Sequence, residues 1–471
     1  MKQSAADEHA VQGILFEDVF QKPVAVRFDA PDQSSDGGVL LVSGLDYTLG
    51  LSRWLAQALH DPRQPGKVLH EQEEMLRSRI YGMCCGYEDV NDADHLRGDP
   101  LFQFLCANRG AGDLALASGS TQNRLENQVT WRDLLRMGYA LMDWQLRHQR
   151  RMRDRRVRTV TVDLDPTDDP TYGQQEWTFF HGHYGNYVYL PLLGFVTFHD
   201  EQGREEREQY LVGALLRSGR ASATEGARTF LRRLFRRLRE LFPGVAIRVR
   251  LDGGFATPEM LDFLDQEEVR YLVNLPPNSV LCARAEAYRE AARQKAEAAG
   301  HSARVYGETR YAAGTWTRAR RVLVKAEVLL HAERGVKDNT RFVVTNYSER
   351  AEPEFLYRHT YCKRGDVENR IKEIHEVALG RTSCTSFWAN QFRVLLAAAA
   401  YMLMQEMRRR VQGTELEGAQ VGRLRSALLK LGATVRRVVR RVYVSLPDSA
   451  AFAHVWCGIA ETLGGLRLMP P

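Results

Sequence analysis

Acidic residues stand at several positions where a sheet protein can do chemistry. In Val160-Thr-Val-Asp-Leu-Asp-Pro-Thr167 the alternating, β-branched pattern predicts a strand. Side chains alternate between the faces of a strand, so Asp163 and Asp165 share one side, and Pro166 breaks the run just after Asp165. In Arg248-Val-Arg-Leu-Asp-Gly-Gly-Phe255, Asp252 falls at the C-terminal end of another predicted strand, followed by two glycines that allow a ligand close approach. Acids at adjacent strand ends can share a hard cation through oxygen ligands. A lone strand-end Asp is more often a turn residue that caps the next helix. Taken together, these acids make a metal site the better reading.

A further acid lies in Tyr361-Cys-Lys-Arg-Gly-Asp-Val-Glu-Asn-Arg-Ile-Lys-Glu-Ile-His375. Wound as a helix, this segment puts Tyr361, Arg364, Glu368, Lys372 and His375 on one polar stripe. Val367, Ile371, Ile374 and Ala378 form an apolar stripe roughly a quarter turn away that can dock the helix on a sheet. A surface ion-pair ladder would look similar, but it explains neither the tyrosine nor the strand-end aspartates. Gly365-Asp366 is an alternative helix start, which would move Arg364 off the stripe.

The elements that must position these residues are legible as a change of texture along the chain. From Gly38 to about Met152 apolar residues recur at helical spacing. After Arg158 come strands at Thr159–Asp165, Val188–Phe198 and Gln209–Leu216, a helix at Thr224–Phe242, a strand at Val245–Leu251, a helix from Pro258 and a strand at Tyr271–Leu275. Three strands followed by alternating helix and strand predict a mixed α/β sheet with helices packed on it. Pro276-Pro277 opens an interruption that runs to about Thr340, and a helix is expected over roughly Glu354–Leu379. The pattern from Phe387 to Pro471 reads as helical again, with Leu396–Met404 fully buried.

The chain has 471 residues, 44% hydrophobic and 26% charged, a globular balance that excludes wholesale disorder or a fibrous repeat. No apolar run approaches the ~18 residues of a membrane span, and the polar start, Met1–His9, argues against a secretory signal. Seven scattered cysteines without C-x-x-C exclude a disulfide framework or zinc ribbon and point to a reducing cytoplasm. No phosphate-binding glycine motif supports a nucleotide cofactor. His181, His183 and His199 lack a completing ligand for zinc, and Cys84-Cys85 reads as buried thiol. The net charge is +6, but arginines cluster at 147–158, 232–239, 408–410 and 436–441. Guanidinium groups match phosphate geometry, so Arg-rich faces favour a polyanion. The 232–239 cluster interleaves with Leu231, Leu234, Phe235 and Leu238 and reads as the outer face of an amphipathic helix. The 147–158 run, with Arg151, Arg155 and Arg156, reads instead as a nucleic-acid contact.

These residues resemble a DDE transposase of the bacterial insertion-sequence type. That family carries Asp-x-Thr on its first strand, an Asp after the fourth, and a helix with the pattern Y-x2-R-x3-E-x6-K. Here Asp165-Pro-Thr167, Asp252, and Tyr361, Arg364 and Glu368 match, while His375 stands where the final Lys belongs. Ser34-Ser-Asp-Gly-Gly38, the segments at 81–89 and 92–96, and Arg124-Leu-Glu-Asn127 are similar to the insertion-sequence family numbered 1380. The resemblance implies an α/β fold, with an RNase H-like mixed five-stranded sheet and flanking helices, interrupted by a largely β insertion domain. It divides the chain into a helical DNA-binding or dimerisation region (1–156), a core in two parts (157–275 and 341–385), the insertion (276–340) and a helical C-terminal region (386–471). It implies Asp165, Asp252 and Glu368 as catalytic and metal-binding, with Asp163 in reserve, and two Mg2+ or Mn2+ ions per site. Tyr361, Arg364, Lys372 and His375 would hold DNA. The implied activity is cleavage of inverted-repeat ends and their joining to target DNA by a homodimer, in the cytoplasm or on the nucleoid. A non-catalytic DNA-binding protein and a structure-specific nuclease are the alternatives.

Overall fold

The computed structural model describes residues 13–18, 21–110, 113–153, 157–331 and 335–466. Arg155 and Arg156 lie outside them.

The N-terminal third is mainly helical, as its periodicity predicts, with α1 (Val39–Leu49), α2 (Gln72–Cys85) and α3 (Trp131–Arg151) as its longer elements. The start of α3 is fixed by a reciprocal cap: Thr130 accepts from the Asp133 amide while Asp133 accepts from the Thr130 amide at 2.9 Å. Short strands precede this region, including Val24–Val26 and Gln33–Ser34.

Arg158 marks the switch to sheet. In chain order come β1 (Thr159–Pro166), β2 (Leu192–His199), β3 (Tyr210–Leu215), α4 (Ala227–Leu241), β4 (Ala246–Leu251), α5 (Pro258–Gln266) and β5 (Arg270–Leu275). Next are α6 (Glu286–Ala299), β6 (Ala303–Tyr311), β7 (Arg320–His331), β8 (Gly335–Thr345), α7 (Asp366–Val377), α8 (Phe387–Arg410), β9 (Ala433–Val438) and β10 (Arg441–Ser445). One eight-stranded mixed sheet results, ordered β6-β7-β8-β5-β4-β1-β2-β3. β1, β4 and β5 run parallel, and the other pairings are antiparallel.

Three expectations need correction. The sheet has eight strands rather than five, because β8 pairs with β5, β7 with β8 and β6 with β7, and so they continue the sheet from the interrupted segment. The run expected as one strand at Val188–Phe198 is two, Asn186–Tyr189 in a small separate sheet and β2 in the large one, divided at Pro191, which has no amide to donate. The C-terminal region is not wholly helical: β9 and β10 form a hairpin that pairs with Gln33–Ser34. Its valines and arginines come in adjacent pairs, Arg436-Arg437-Val438-Val439-Arg440-Arg441, so no period-two pattern marks the strands.

α4 behaves as its amphipathic pattern predicts. Leu231, Leu234, Phe235 and Leu238 are buried on the sheet, while Arg233 and Arg237 pair with Asp143 and Arg239 pairs with Glu267.

α8 is buried along almost its whole length and runs between the helical region and the sheet. Its glutamines complete the sheet's edge. Gln405 accepts from the Leu211 amide at 3.2 Å and donates to the Gln209 carbonyl at 2.7 Å. Gln391 accepts from the Leu216 amide at 2.6 Å and donates to the Ala214 carbonyl at 3.3 Å. β3 is an edge strand whose outward backbone groups would otherwise be buried unpaired, so these two amides stand in for a ninth strand. Gln405→Met, which keeps the volume and removes both bonds together with a third to Glu208, is expected to cost about 2 kcal/mol in urea unfolding.

Candidate active site

The first two acids are brought together by strand register. β1 and β4 are parallel neighbours in which Arg250 lies beside Asp163, and two residues further along the same register Asp165 and Asp252 end their strands side by side. Asp252 caps the turn that follows, accepting from the Gly254 amide at 3.0 Å. A side chain at Gly254 would collide with the Ala223 methyl, so the tight turn requires glycine there.

The segment carrying the other site residues is helical but irregular. Leu356–Tyr361 is wound as a π-helix and Cys362–Gly365 as a 3-10 turn, and regular α winding begins only at Asp366. Departures of this kind cluster at functional sites. They carry Arg364 to the strand ends: its Nη2 lies 2.7 Å from Asp165 and 3.9 Å from Asp252. Two carboxylates thus share one guanidinium. Glu368 is exposed, one turn into the regular helix, and lies within electrostatic reach of Asp165. Burial pushes the Asp165 carboxyl up to about 7; Arg364 opposes this, while Asp252, Asp163 and Glu368 reinforce it. Tyr361 is half-buried beside Arg364 and Asp252, and burial raises its hydroxyl to about 12, so it is a neutral donor at neutral pH.

Asp163 faces the same side of β1 but gives both oxygens to Arg250, at 2.8 and 2.7 Å, and both side chains are fully buried. Arg250 also donates to the Thr360 carbonyl in the π-helical turn at 2.9 Å and lies 3.5 Å from Glu205. Asp163 is therefore held as the counter-ion of Arg250. His375 pairs with the Thr167 hydroxyl at 3.3 Å, and burial lowers its pKa, so at neutral pH it is an uncharged hydrogen-bonding group. Lys372 is exposed on α7. Arg151 is exposed at the end of α3, where it lines a cleft with Arg53, Trp54 and Arg147.

Two residues that no sequence motif marks also belong to this neighbourhood. Tyr184 feels the charges of Asp168, Asp165 and Asp252. Arg217 is buried, donates to four backbone carbonyls, at 190, 222, 223 and 225, and interacts electrostatically with Asp252 and Tyr184. Its Nη2 has no hydrogen-bond partner among the described residues.

In type, the donors suit a hard divalent cation, because they are carboxylate oxygens with no thiol or imidazole among them. In position, no three acidic, His or Cys side chains among the described residues stand close enough to hold a metal ion, and Arg364 supplies the positive charge between Asp165 and Asp252.

The model of one protein family, transposase DDE domain group 1, matches residues 16–468. The chain belongs to that family. No protein of curated function matches it. Membership makes it a transposase-type protein with a DNA partner, in a family that uses divalent metal ions. None of the helices among the described residues is long and apolar enough to cross a membrane.

Two predictions follow from the buried support. Arg250→Met leaves Asp163 charged and unpaired and is expected to lower stability by about 3–5 kcal/mol, whereas Arg250→Met combined with Asp163→Leu recovers most of it in denaturant unfolding. His199, bonded to the Thr161 hydroxyl at 2.8 Å, has its pKa lowered to about 4 by burial and by Arg248. Its folded pKa lies below the unfolded value of 6.5, so its contribution to stability is complete above pH 6.5 and declines as pH falls towards 4. The stability difference between the native protein and His199→Gln should shrink across that window, as read by thermal unfolding at fixed ionic strength.

Proposed function

We propose that the chain is the transposase of its own insertion sequence, cutting the inverted-repeat ends and joining them to target DNA. The observation that carries this reading is the meeting of Asp165, Asp252 and Arg364, contributed by two strand ends and a distant irregular helix. The order β3-β2-β1-β4-β5, with β2 antiparallel, supports an RNase H-like core within the larger sheet. The segments at 34–38, 81–89, 92–96 and 124–127 support the insertion-sequence family numbered 1380. In this reading the chain acts as a homodimer on DNA, in the cytoplasm or on the nucleoid, without a nucleotide cofactor.

Asp165, Asp252 and Glu368 would hold the Mg2+ or Mn2+ ions, which when bound would activate a nucleophile and stabilise the leaving 3′ oxygen. The protein's own groups do the rest. Arg364, released from Asp165 and Asp252, has a guanidinium free to grip the scissile phosphate with two donors. Tyr361 donates a neutral hydrogen bond beside it, and Lys372 adds a positive charge one turn beyond Glu368. Neutral His375 orients Thr167, next to the first strand's end. The same phosphate grip serves cleavage and joining, since a 3′ hydroxyl takes water's place as nucleophile.

The test is a duplex bearing the element's end, incubated with the full chain and Mg2+ or Mn2+. Asp252→Ala and Glu368→Gln are each expected to slow cleavage by about three orders of magnitude or more while DNA binding persists. Unchanged cleavage would remove these acids from the mechanism, and cleavage without joining would make the protein a nuclease. That no closed ligand set forms among the described residues favours a second reading, a DNA-binding protein without chemistry, for which divalent ions would produce no cleavage at all.

A further inference from the structure

The arginine clusters differ in one respect: which of them already have counter-ions. On α4, Arg233 and Arg237 pair with Asp143, and Arg232 and Arg239 with Glu267, which leaves Arg236 without an acidic partner among the described residues. Arg408 pairs with Glu373 and Glu208, and Arg409 and Arg410 pair with Glu406. Arg153 turns inward to Glu206 and covers the Phe198 ring, whereas Arg147, Arg150 and Arg151 on α3 are exposed without an acidic partner among the described residues. The hairpin of β9 and β10 is different. Residues 418–447 contain Arg423, Arg425, Lys430, Arg436, Arg437, Arg440 and Arg441 and no acid at all.

Strand alternation sorts the hairpin into two faces. Val435, Arg437, Val442 and Val444 lie on one, where Val435 is buried and Val442 and Val444 pack against the helical core. Arg437 leans on this side, reaching the Asn108 carbonyl at 3.4 Å and Asp113 at 4.0 Å. The other face presents Arg436, Val438, Arg441 and Tyr443 to solvent, with the Arg436 guanidinium 5.0 Å from the centre of the Tyr443 ring. Arg440 and Arg441 have no acidic partner among the described residues. At the turn Val439 is completely exposed, at 104%, and Val438 beside it is 44% exposed. Charge on β10 alone could be explained as protection of an edge strand against pairing with other chains. That explanation does not cover two adjacent valines held out in water at the tip.

We propose that this hairpin is a DNA-binding arm that enters the minor groove of duplex DNA, with Val439 as an apolar wedge at a base step. Arg436, Arg440 and Arg441 flank it as contacts to the phosphates and groove. A two-stranded ribbon is narrow enough to follow a groove, unpaired arginines are drawn to the negative potential of a narrow minor groove, and apolar tips inserted between base steps kink the duplex. The anchored inner face makes the arm rigid, so the cost of ordering it has been met before DNA arrives. The inference rests on the reading that DNA is this protein's partner, but it assigns a contact separate from the acidic site.

The experiment uses the full chain and a short mixed-sequence duplex labelled at both ends, so that anisotropy reports binding and energy transfer reports bending. For Arg440→Ala with Arg441→Ala, the slope of log affinity against log salt is expected to become shallower by about 2. Val439→Ser should keep the native salt slope but straighten the bound duplex. Both changes are at exposed positions, and unaltered thermal unfolding checks that the fold is intact. An unchanged slope in the double variant, while the native protein binds and cleaves DNA, overturns the arm and leaves the proposed function standing. A native protein that binds no duplex overturns both. If the double variant leaves the slope alone and shifts sedimentation from dimer to monomer, the face is a contact between copies and the proposal fails. A bend unaffected by Val439→Ser overturns the wedge.

Discussion

The strand-end acids of the candidate site and the turn that carries Arg364 are built around the buried guanidinium of Arg250. It binds both oxygens of Asp163 on β1 from its own place on β4, and reaches the Thr360 carbonyl in the irregular turn and the Glu205 carboxylate. A charge taken wholly out of water must be paired and hydrogen-bonded, so the geometry around it has little freedom. Two residues further along each strand stand Asp165 and Asp252, and four residues after Thr360 stands Arg364. One satisfied cation inside the protein thus sets where a second one, Arg364, meets two acids at the surface.

The helical and sheet parts of the chain are joined by a similar logic of completion. α8 is apolar enough to be buried on nearly every side, yet it carries two glutamines whose amides satisfy the outer backbone of β3. The sheet therefore ends against a helix, and the N-terminal helices pack on the other side of that same helix. Farther along, Glu373 on α7 accepts from the Tyr401 hydroxyl and pairs with Arg408, which ties the helix bearing Glu368 to α8. Burial holds the two together, and polar pairs fix their register.

What the sequence discloses follows from whether the signal is local. The strand ends at Asp165 and Asp252 are legible because a proline and a glycine pair mark them and alternation assigns the face. Spacing also brings Arg364 and Glu368 into view, although the winding that connects them is not α-helical and no residue pattern announces a π turn. Alternation alone does not separate Asp163 from Asp165, since both share a face; the proline favours Asp165, and the distant Arg250 shows what holds Asp163. The same holds for His375, whose pKa is set by burial rather than by its place on a stripe. The β9–β10 hairpin was hidden by its arginines, which suggest a helix surface until the strands are seen to pair. The segment after Pro277 reads as largely β, but its joining to the large sheet depends on β8 pairing with the distant β5, which no window of sequence contains.

The irregular turn from Leu356 to Gly365 has a mechanical meaning. In an α-helix each residue advances the side-chain direction by about 100°, so a single residue gained or lost by rewinding swings all that lies on one side of the defect through more than a quarter of a circle. Thr360 is clamped from below by Arg250, and α7 is clamped by its apolar face. Arg364 sits between these two fixed points, in the 3-10 turn that joins them. It is mounted like the pin of a latch, its charge aimed at the two aspartates by the winding of that turn.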